Sequence, residues 1–212
     1  MLDFITVNEH SSIRLEGSKV IYVDPFRIPE YKNDGDIILI THPHYDHFSP
    51  EDIEKVAKES TRYVMPKSMK EDAVHAGFSE HQIYLMQPGN ILELSGVTIA
   101  AVPSYNVGKP MHPKENDWLG YVVTVKEKRI YIAGDCDLMP EESTVSCDVA
   151  MLPIGGTYTM NFKEAAECVN RICPSYVIPT HYGTLVGKPE DFDGFKPLVN
   201  QEITIVSKLP EA

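Results

Sequence analysis

Short hydrophobic runs broken by glycine, asparagine and proline dominate the first forty positions. LDFITV, SSIRLE, KVIYVD and DIILIT each carry β-branched or aromatic residues and end in turn-forming residues, which predicts strands. The pattern changes after Ser49, which reads as a helix N-cap with Pro50 at the first helical position and Asp52 three residues past the cap. A helix is therefore predicted from about Pro50 to Lys58, followed by a short strand at Tyr63 to Met65 and a helical piece after Pro66. ILELSGVTIAAVPSY, GYVVTVKEKRIYIAGD and CDVAMLPI predict further strands, with turns at Gly96 and at Lys126-Glu127-Lys128. FKEAAECVNRI predicts a second helix, capped by Asn161 with Glu164 three residues later. SYVIPTHYG reads as a strand entering a loop, and a helix–strand pair closes the chain.

Two fragments, KVIYVDPF (Lys19 to Phe26) and KRIYIAGD (Lys128 to Asp135), resemble each other and hint at a duplicated β-rich unit. Blocks of strands interrupted and followed by helices predict two packed sheets with helices outside them. No linker, charge block or low-complexity tract divides the 212 residues, so one domain over residues 1–212 is expected.

Composition narrows the function classes. The net charge of −12 argues against a broad basic face for nucleic acid or anionic lipid, while leaving room for a local basic pocket. The amino terminus lacks a basic region followed by a long apolar core, and no segment approaches about twenty uninterrupted apolar residues. A soluble cytoplasmic protein with a small-molecule partner, and no nucleic-acid or membrane partner, is expected; a homo-oligomer is left open. Cys136, Cys147, Cys168 and Cys173 show neither zinc-knuckle spacing nor the density of a disulfide scaffold, and read as reduced, structural residues.

The chemistry concentrates in THPHYDH, Thr41 to His47, which directly follows the apolar run DIILI and precedes the helix cap. Three of the chain's eight histidines and an aspartate thus occupy a short strand-to-helix loop. Ionising them together is costly, and a cation resolves the conflict, because neutral imidazole and carboxylate are good ligands for zinc, manganese or iron. Asp135, after a strand and Gly134, and His181, after another strand, are the best candidates to complete such a site; Gly134 is expected to let the backbone approach a metal closely.

The order His42, His44, Asp46, His47, then Asp135, then His181 resembles the metallo-β-lactamase superfamily, over nearly the whole chain. IYVDPF, IYIAGDCD, LPIGGTYTMNFKEAA and VIPTHYGT are similar to its branch of small single-domain hydrolases related to L-ascorbate-6-phosphate lactonase. The resemblance implies an α/β fold, the four-layer αββα sandwich. It also implies two divalent metal ions, zinc first, with manganese or iron(II) as alternatives. His42 and His44 would hold one; Asp46, His47 and His181 would hold the other; Asp135 would bridge them. The implied activity is hydrolysis by a hydroxide shared between the cations, with Asp46 and His181 as catalytic residues.

One departure stands out. Where the family carries a further histidine ligand, this chain has Ser104, Tyr105 and Asn106. His112 could loop back to fill the first site, or His10 could, or Asn106, Tyr105 or water. His75 and His81 read as surface residues of a helical stretch. For substrate, GGTYTMN ahead of a helix could bind an anion, Lys109 and Lys114 could meet a phosphate, and Tyr182 could donate a hydrogen bond. A small anionic ester, lactone or phosphodiester is the expected substrate. The alternatives are a nuclease of the same fold and a non-hydrolytic redox or sensor module.

Overall fold

Alternation along the strands sends side chains into separate cores on the two faces of each sheet. The computed structural model describes residues 2–209. In β3 (Val20–Val23), Ile21 and Val23 point one way and Tyr22 the other; in β4 (Gly35–Leu39), Ile37 and Leu39 oppose Ile38. Both strands are therefore apolar on both faces, as strands covered on both sides must be.

β3 and β4 belong to a six-stranded sheet in the order β1 (Ile5–Glu9), β2 (Ser12–Glu16), β3, β4, β5 (Ala57–Pro66), β6 (Ile83–Met86). A seven-stranded sheet runs β13 (Thr204–Ile205), β12 (Tyr176–Thr180), β11 (Val149–Pro153), β10 (Lys128–Ile132), β9 (Leu119–Val125), β8 (Val97–Pro103), β7 (Ile91–Leu94). The core between the sheets takes Leu15, Ile21, Ile37 and Val64 from the first and Ile99, Tyr121, Val123 and Ile130 from the second. The outer face of the first sheet packs on α1 (Pro50–Val56) and α2 (Lys70–His75) through Ile38, Ile53, Val56 and Ala73. The outer face of the second packs on α3 (Phe162–Ile172) and α4 (Glu190–Phe195) through Tyr131, Ala150, Ala165, Val169 and Phe195. The order of layers is αββα.

The two sheets repeat one pairing scheme. β1 to β6 pair antiparallel twice and then parallel three times, and β8 to β13 do the same. β3 and β10, which carry the two similar sequence fragments, hold the same place in that scheme.

α3 has the predicted boundaries and capping box, with Asn161 Oδ1 accepting from the Lys163 and Glu164 amides. Other boundaries differ. β1 begins at Ile5 rather than Leu2. α1 ends at Val56, two residues early, and β5 starts at once and runs to Pro66 instead of covering Tyr63 to Met65 alone. The polar stretch after Val56 is held extended because the Asn33 amide donates to the Ala57 carbonyl and the Thr61 hydroxyl donates to the Gly35 carbonyl, around a break in the β4–β5 register. Side-chain hydrogen bonds from a distant turn are invisible to periodicity. Among the described residues, no helix is long and apolar enough to cross a membrane.

Candidate metal centre

Apart from His112, every candidate ligand sits just past the end of a strand, and both sheets contribute. His10 turns between β1 and β2; His42 to His47 lie between β4 and α1; Asp135 follows β10; His181 follows β12. His10 (φ 55°) and His181 (φ 56°) adopt left-handed backbone, as does Asp24 (φ 45°) just after β3. Such conformations cost about 1–3 kcal/mol for residues other than glycine and persist where surrounding structure enforces them. Here the His10 carbonyl accepts from the His181 amide at 3.1 Å, joining the two sheets.

Three overlapping groups of donors converge: His42, His44 and His112; His10, Asp46, His47 and His181; and His42, His47 and Asp135, the atoms of each lying within 4.8 Å of one another. In the first, His42 Nε2 is 3.1 Å from His44 Nδ1 and 3.3 Å from His112 Nε2. Zinc–nitrogen bonds of about 2.0–2.1 Å in a tetrahedral site imply donor separations of about 3.3 Å. In the second, Asp46 Oδ2 is 3.3 Å from His10 Nε2, 3.7 Å from His47 Nε2 and 3.8 Å from His181 Nε2. Asp135 reaches both groups: its Oδ2 is 3.1 Å from His181 Nε2 and 3.5 Å from His112 Nε2, and its Oδ1 is 3.2 Å from His47 Nε2.

Hydrogen bonds settle which ring nitrogens are bare. The Thr41 hydroxyl donates to Asp24 Oδ2 at 2.6 Å, so it accepts from His42 Nδ1 at 2.9 Å, and His42 Nε2 carries only a lone pair. Asn106 Oδ1 can only accept, so His112 Nδ1 donates to it at 2.9 Å and His112 Nε2 is bare as well. His47 Nδ1 donates to Asp24 Oδ2 at 2.7 Å, which turns Nε2 towards Asp135.

Electrostatics favours neutral ligands at most positions. Burial lowers His10 and His112 to about 4 and takes His42 well below its ordinary value. Burial opposes charge on Asp46, yet the neighbouring His10 and His47 hold it at about 2. Asp135 is likewise held ionised against burial by His181 and His47. His47 is the exception: burial disfavours its charge, but Asp135 and Asp24 on either side raise its pKa well above the usual value. The fit to metal is carried by orphaned atoms. His10 Nδ1 and Nε2, His47 Nε2, His181 Nδ1 and Nε2 and Asp135 Oδ1 are buried without a hydrogen-bond partner, a costly arrangement that cations on these donors would relieve.

The structure therefore gathers His42, His44, Asp46, His47, Asp135 and His181 in one place, and puts His112 beside His42 and His44. His10 joins the other group, with Asp46 and His181, and not the first site as one sequence reading had it. Asn106 is no ligand: Oδ1 is used by His112 and Nδ2 donates to the Tyr158 carbonyl at 2.8 Å. Tyr182 stacks its ring on Phe192, and its hydroxyl lies at Ser207. Lys109 is taken by Asp137 and the Thr159 carbonyl, and Lys114 by Glu141 and the Tyr105 hydroxyl. The helix amides after GGTYTMN are capped by Asn161, leaving a glycine turn rather than an anion cradle. At Gly134 (φ 68°) a Cβ would meet Leu119 O and Ser104 Oγ at 3.1 Å and Thr41 Cβ at 3.2 Å, so only glycine lets these three segments close up beside Asp135. His75 and His81 are exposed.

Sequence reasoning missed Asp24, Thr41 and Trp118. Trp118 lays its ring 5.1–5.4 Å from those of His42, His44 and His112. Asp24 did leave a signal: it closes KVIYVDPF, the fragment similar to the one that leads to Asp135. A groove of about 690 Å³ lined by Asn33, Ile53, Tyr63 and Phe78 lies on the outer face of the first sheet and contains none of these residues.

Residues 4–181 match the family described as the beta-lactamase superfamily domain. A Pyrococcus abyssi protein named a UPF0173 metal-dependent hydrolase is 33% identical over 95% of this chain and 94% of its own length. A Methanopyrus kandleri protein of the same name is 31% identical over 89% and 87%. The solved structure of a Parabacteroides distasonis protein, provisionally assigned as a metal-dependent hydrolase, superposes with a TM-score of 0.82 at 28% identity, covering 97% of this chain and 93% of that one. Igni18, a metallo hydrolase from Ignicoccus hospitalis, shares the fold with a TM-score of 0.76 at 23% identity, covering 97% and 95%. By sequence over most of its length, and by the layers and strand-end ligands described above, this chain belongs to the beta-lactamase superfamily.

Proposed function

We propose that this metal-dependent hydrolase of the beta-lactamase superfamily binds two divalent cations and cleaves a small anionic ester, lactone or phosphodiester. Zinc suits the imidazole-rich donor set, with manganese or iron(II) as alternatives. The observation that carries the reading is Asp135, whose carboxylate lies within 3.5 Å of a histidine nitrogen from each main group, the position of a bridging ligand. When bound, two cations supply Lewis acidity, a hydroxide nucleophile from shared water at neutral pH, and stabilisation of charge developing on a substrate oxygen.

The chain's own residues prepare that chemistry. Asp24 holds the Nδ1 proton of His47, Thr41 that of His42 and Asn106 that of His112, so each ring turns its Nε2 towards the donor groups, bare in His42 and His112. Trp118 closes one side of the His42, His44 and His112 group against water. Asp46, at 14% side-chain exposure, is the more open of the two site carboxylates, while His181 is enclosed at 1%.

The paired state of Lys109 and Lys114 leaves substrate charge to be met by the metal centre, which favours a compact anion over a polyanion. The net charge of −12 weighs against a nuclease. A redox role in the style of carboxylate-rich di-iron centres is disfavoured by three imidazoles in the first group. The test is the metal-loaded chain against phosphodiesters, lactones, carboxylic esters and RNA, before and after chelation. Chelator-sensitive turnover of one small anionic class is expected. Turnover of RNA alone, or no hydrolysis by protein carrying two metals, would contradict the reading.

A further inference from the structure

His112 reaches the first group from the middle of the long excursion between β8 and β9, not from a strand end. Two of its contacts stay within that excursion: Asn106 N donates to the His112 carbonyl at 2.7 Å, and Asn106 Oδ1 accepts from its ring. They shape the loop without tying it to the site. Asn106 Nδ2 donates to the Tyr158 carbonyl and Ser104 Oγ to the Asp135 carbonyl, and the middle of the excursion is tied by Asp137, 5% exposed and two residues beyond Asp135. Its Oδ2 accepts from the Val107 amide at 2.8 Å, its Oδ1 from Lys109 Nζ at 2.5 Å, and its own amide donates to the Tyr105 carbonyl at 3.0 Å. Lys109 Nζ goes on to the Thr159 carbonyl at 2.7 Å. One short loop thus carries both the bridging carboxylate and the anchor of the His112 excursion.

We propose that Asp137 and Lys109 form a clasp that positions His112, so that the affinity of the first group for its cation depends on this pair as well as on the three histidines. The proposal rests on the metal-centre reading above. The physical reason is ordering: a ligand on a loop already fixed costs little conformational entropy on binding, whereas a freed loop must be ordered each time. The pair is enclosed on the Asp137 side, and Lys109 is its ion-pair partner among the described residues, so its hydrogen bonds are charge-assisted and shielded. The Lys114–Glu141 pair on the same excursion has its lysine 60% exposed and contributes little to such a fixing.

Trp118 makes the test specific. It is the chain's single tryptophan, and its ring packs on the three histidines of the first group. Metal-free full-length protein is titrated with Co2+, following Trp118 quenching for the first group and total bound cobalt for both. Lys109→Met and Asp137→Asn are expected to raise the quenching midpoint about ten- to hundred-fold while the other equivalent of cobalt binds as before. Lys109→Arg should recover much of the loss, and Lys114→Met should titrate like the unmodified chain. Lys109 is partly exposed, so if Asp137→Asn fails to fold, Lys109→Met decides alone. An unchanged midpoint, or equal weakening of both equivalents, would overturn the clasp. An unmodified chain that binds no cobalt would instead overturn the metal-centre reading beneath it.

Discussion

His42 and His112, seventy residues apart, hold their Nε2 atoms 3.3 Å from each other. With Thr41 and Asn106 occupying the two Nδ1 positions, these nitrogens present lone pair to lone pair, which repels unless a cation lies between them. His112→Ala should therefore weaken the first group at least tenfold and leave the group of His10, Asp46, His47 and His181 intact. Cobalt titration read by Trp118 quenching checks this, and full retention of both metals would move His112 out of the ligand set.

Asp24 accepts from His47 Nδ1 at 2.7 Å without itself belonging to a donor group. Asp24→Asn keeps the size of the side chain but removes the charge that fixes the His47 ring, and should lower metal affinity about ten- to hundred-fold. Competition with a chromophoric chelator measures it; affinity equal to that of the unmodified chain would show that packing alone orients His47.

Much of this centre was legible in the chain. The strands announced themselves because their inward and outward residues are both apolar, and THPHYDH did so because polar clusters rarely end such strands. Asp135 and His181 were found by their places after strands. The position of His10 was not readable, since it depends on a hairpin meeting the end of β12 in the other sheet. His112 was named as a residue that could loop back to the first site and the structure puts it there, but the choice between it and the alternatives was not readable, because the loop conformation comes from Asp137, Lys109 and Tyr158, none of which has a sequence signature. The pairing of Lys109 with Asp137 and the Thr159 carbonyl was hidden for a related reason: partners that occupy a side chain are set by tertiary contact.

Acid should destabilise the metal-free protein. His10 and His112, at about 4, and His42, taken well below its ordinary value, stay neutral in the folded chain while their unfolded counterparts protonate below about 6.5, and burial shifts His44 in the same direction. The unfolded state then binds more protons, so stability falls as pH drops from about 6.5 to about 4. Burial raises Glu142 to about 7 and also raises Asp24, which opposes the trend, but these are two carboxyls against four histidines. His47 is protonated in both states over this range and adds no slope. Thermal melts of the metal-free chain should show a falling Tm across this window, and a flat or rising Tm would contradict the burial of neutral imidazoles.

Gly155 guards the placement of His181. A Cβ at this position would lie 2.2 Å from the His181 carbonyl oxygen, a contact only backbone movement can relieve. Gly155→Ala should cost about 1–3 kcal/mol of stability and weaken metal binding at the group containing His181. Denaturant unfolding and metal titration together check the pair of effects; a stable variant with unaltered metal affinity would show that the His181 loop yields without consequence.

The central claim is a two-metal centre bridged by Asp135, and metal stoichiometry tests it most directly. Protein loaded with zinc or manganese, freed of excess metal and analysed for metal per chain should carry close to two ions. Asp135→Ala should lose both sites, while Cys136→Ser should keep both, because Cys136 is buried beside Glu142 and lies outside all three donor groups. Metal near zero in the unmodified chain, or two ions retained by Asp135→Ala, would contradict the account.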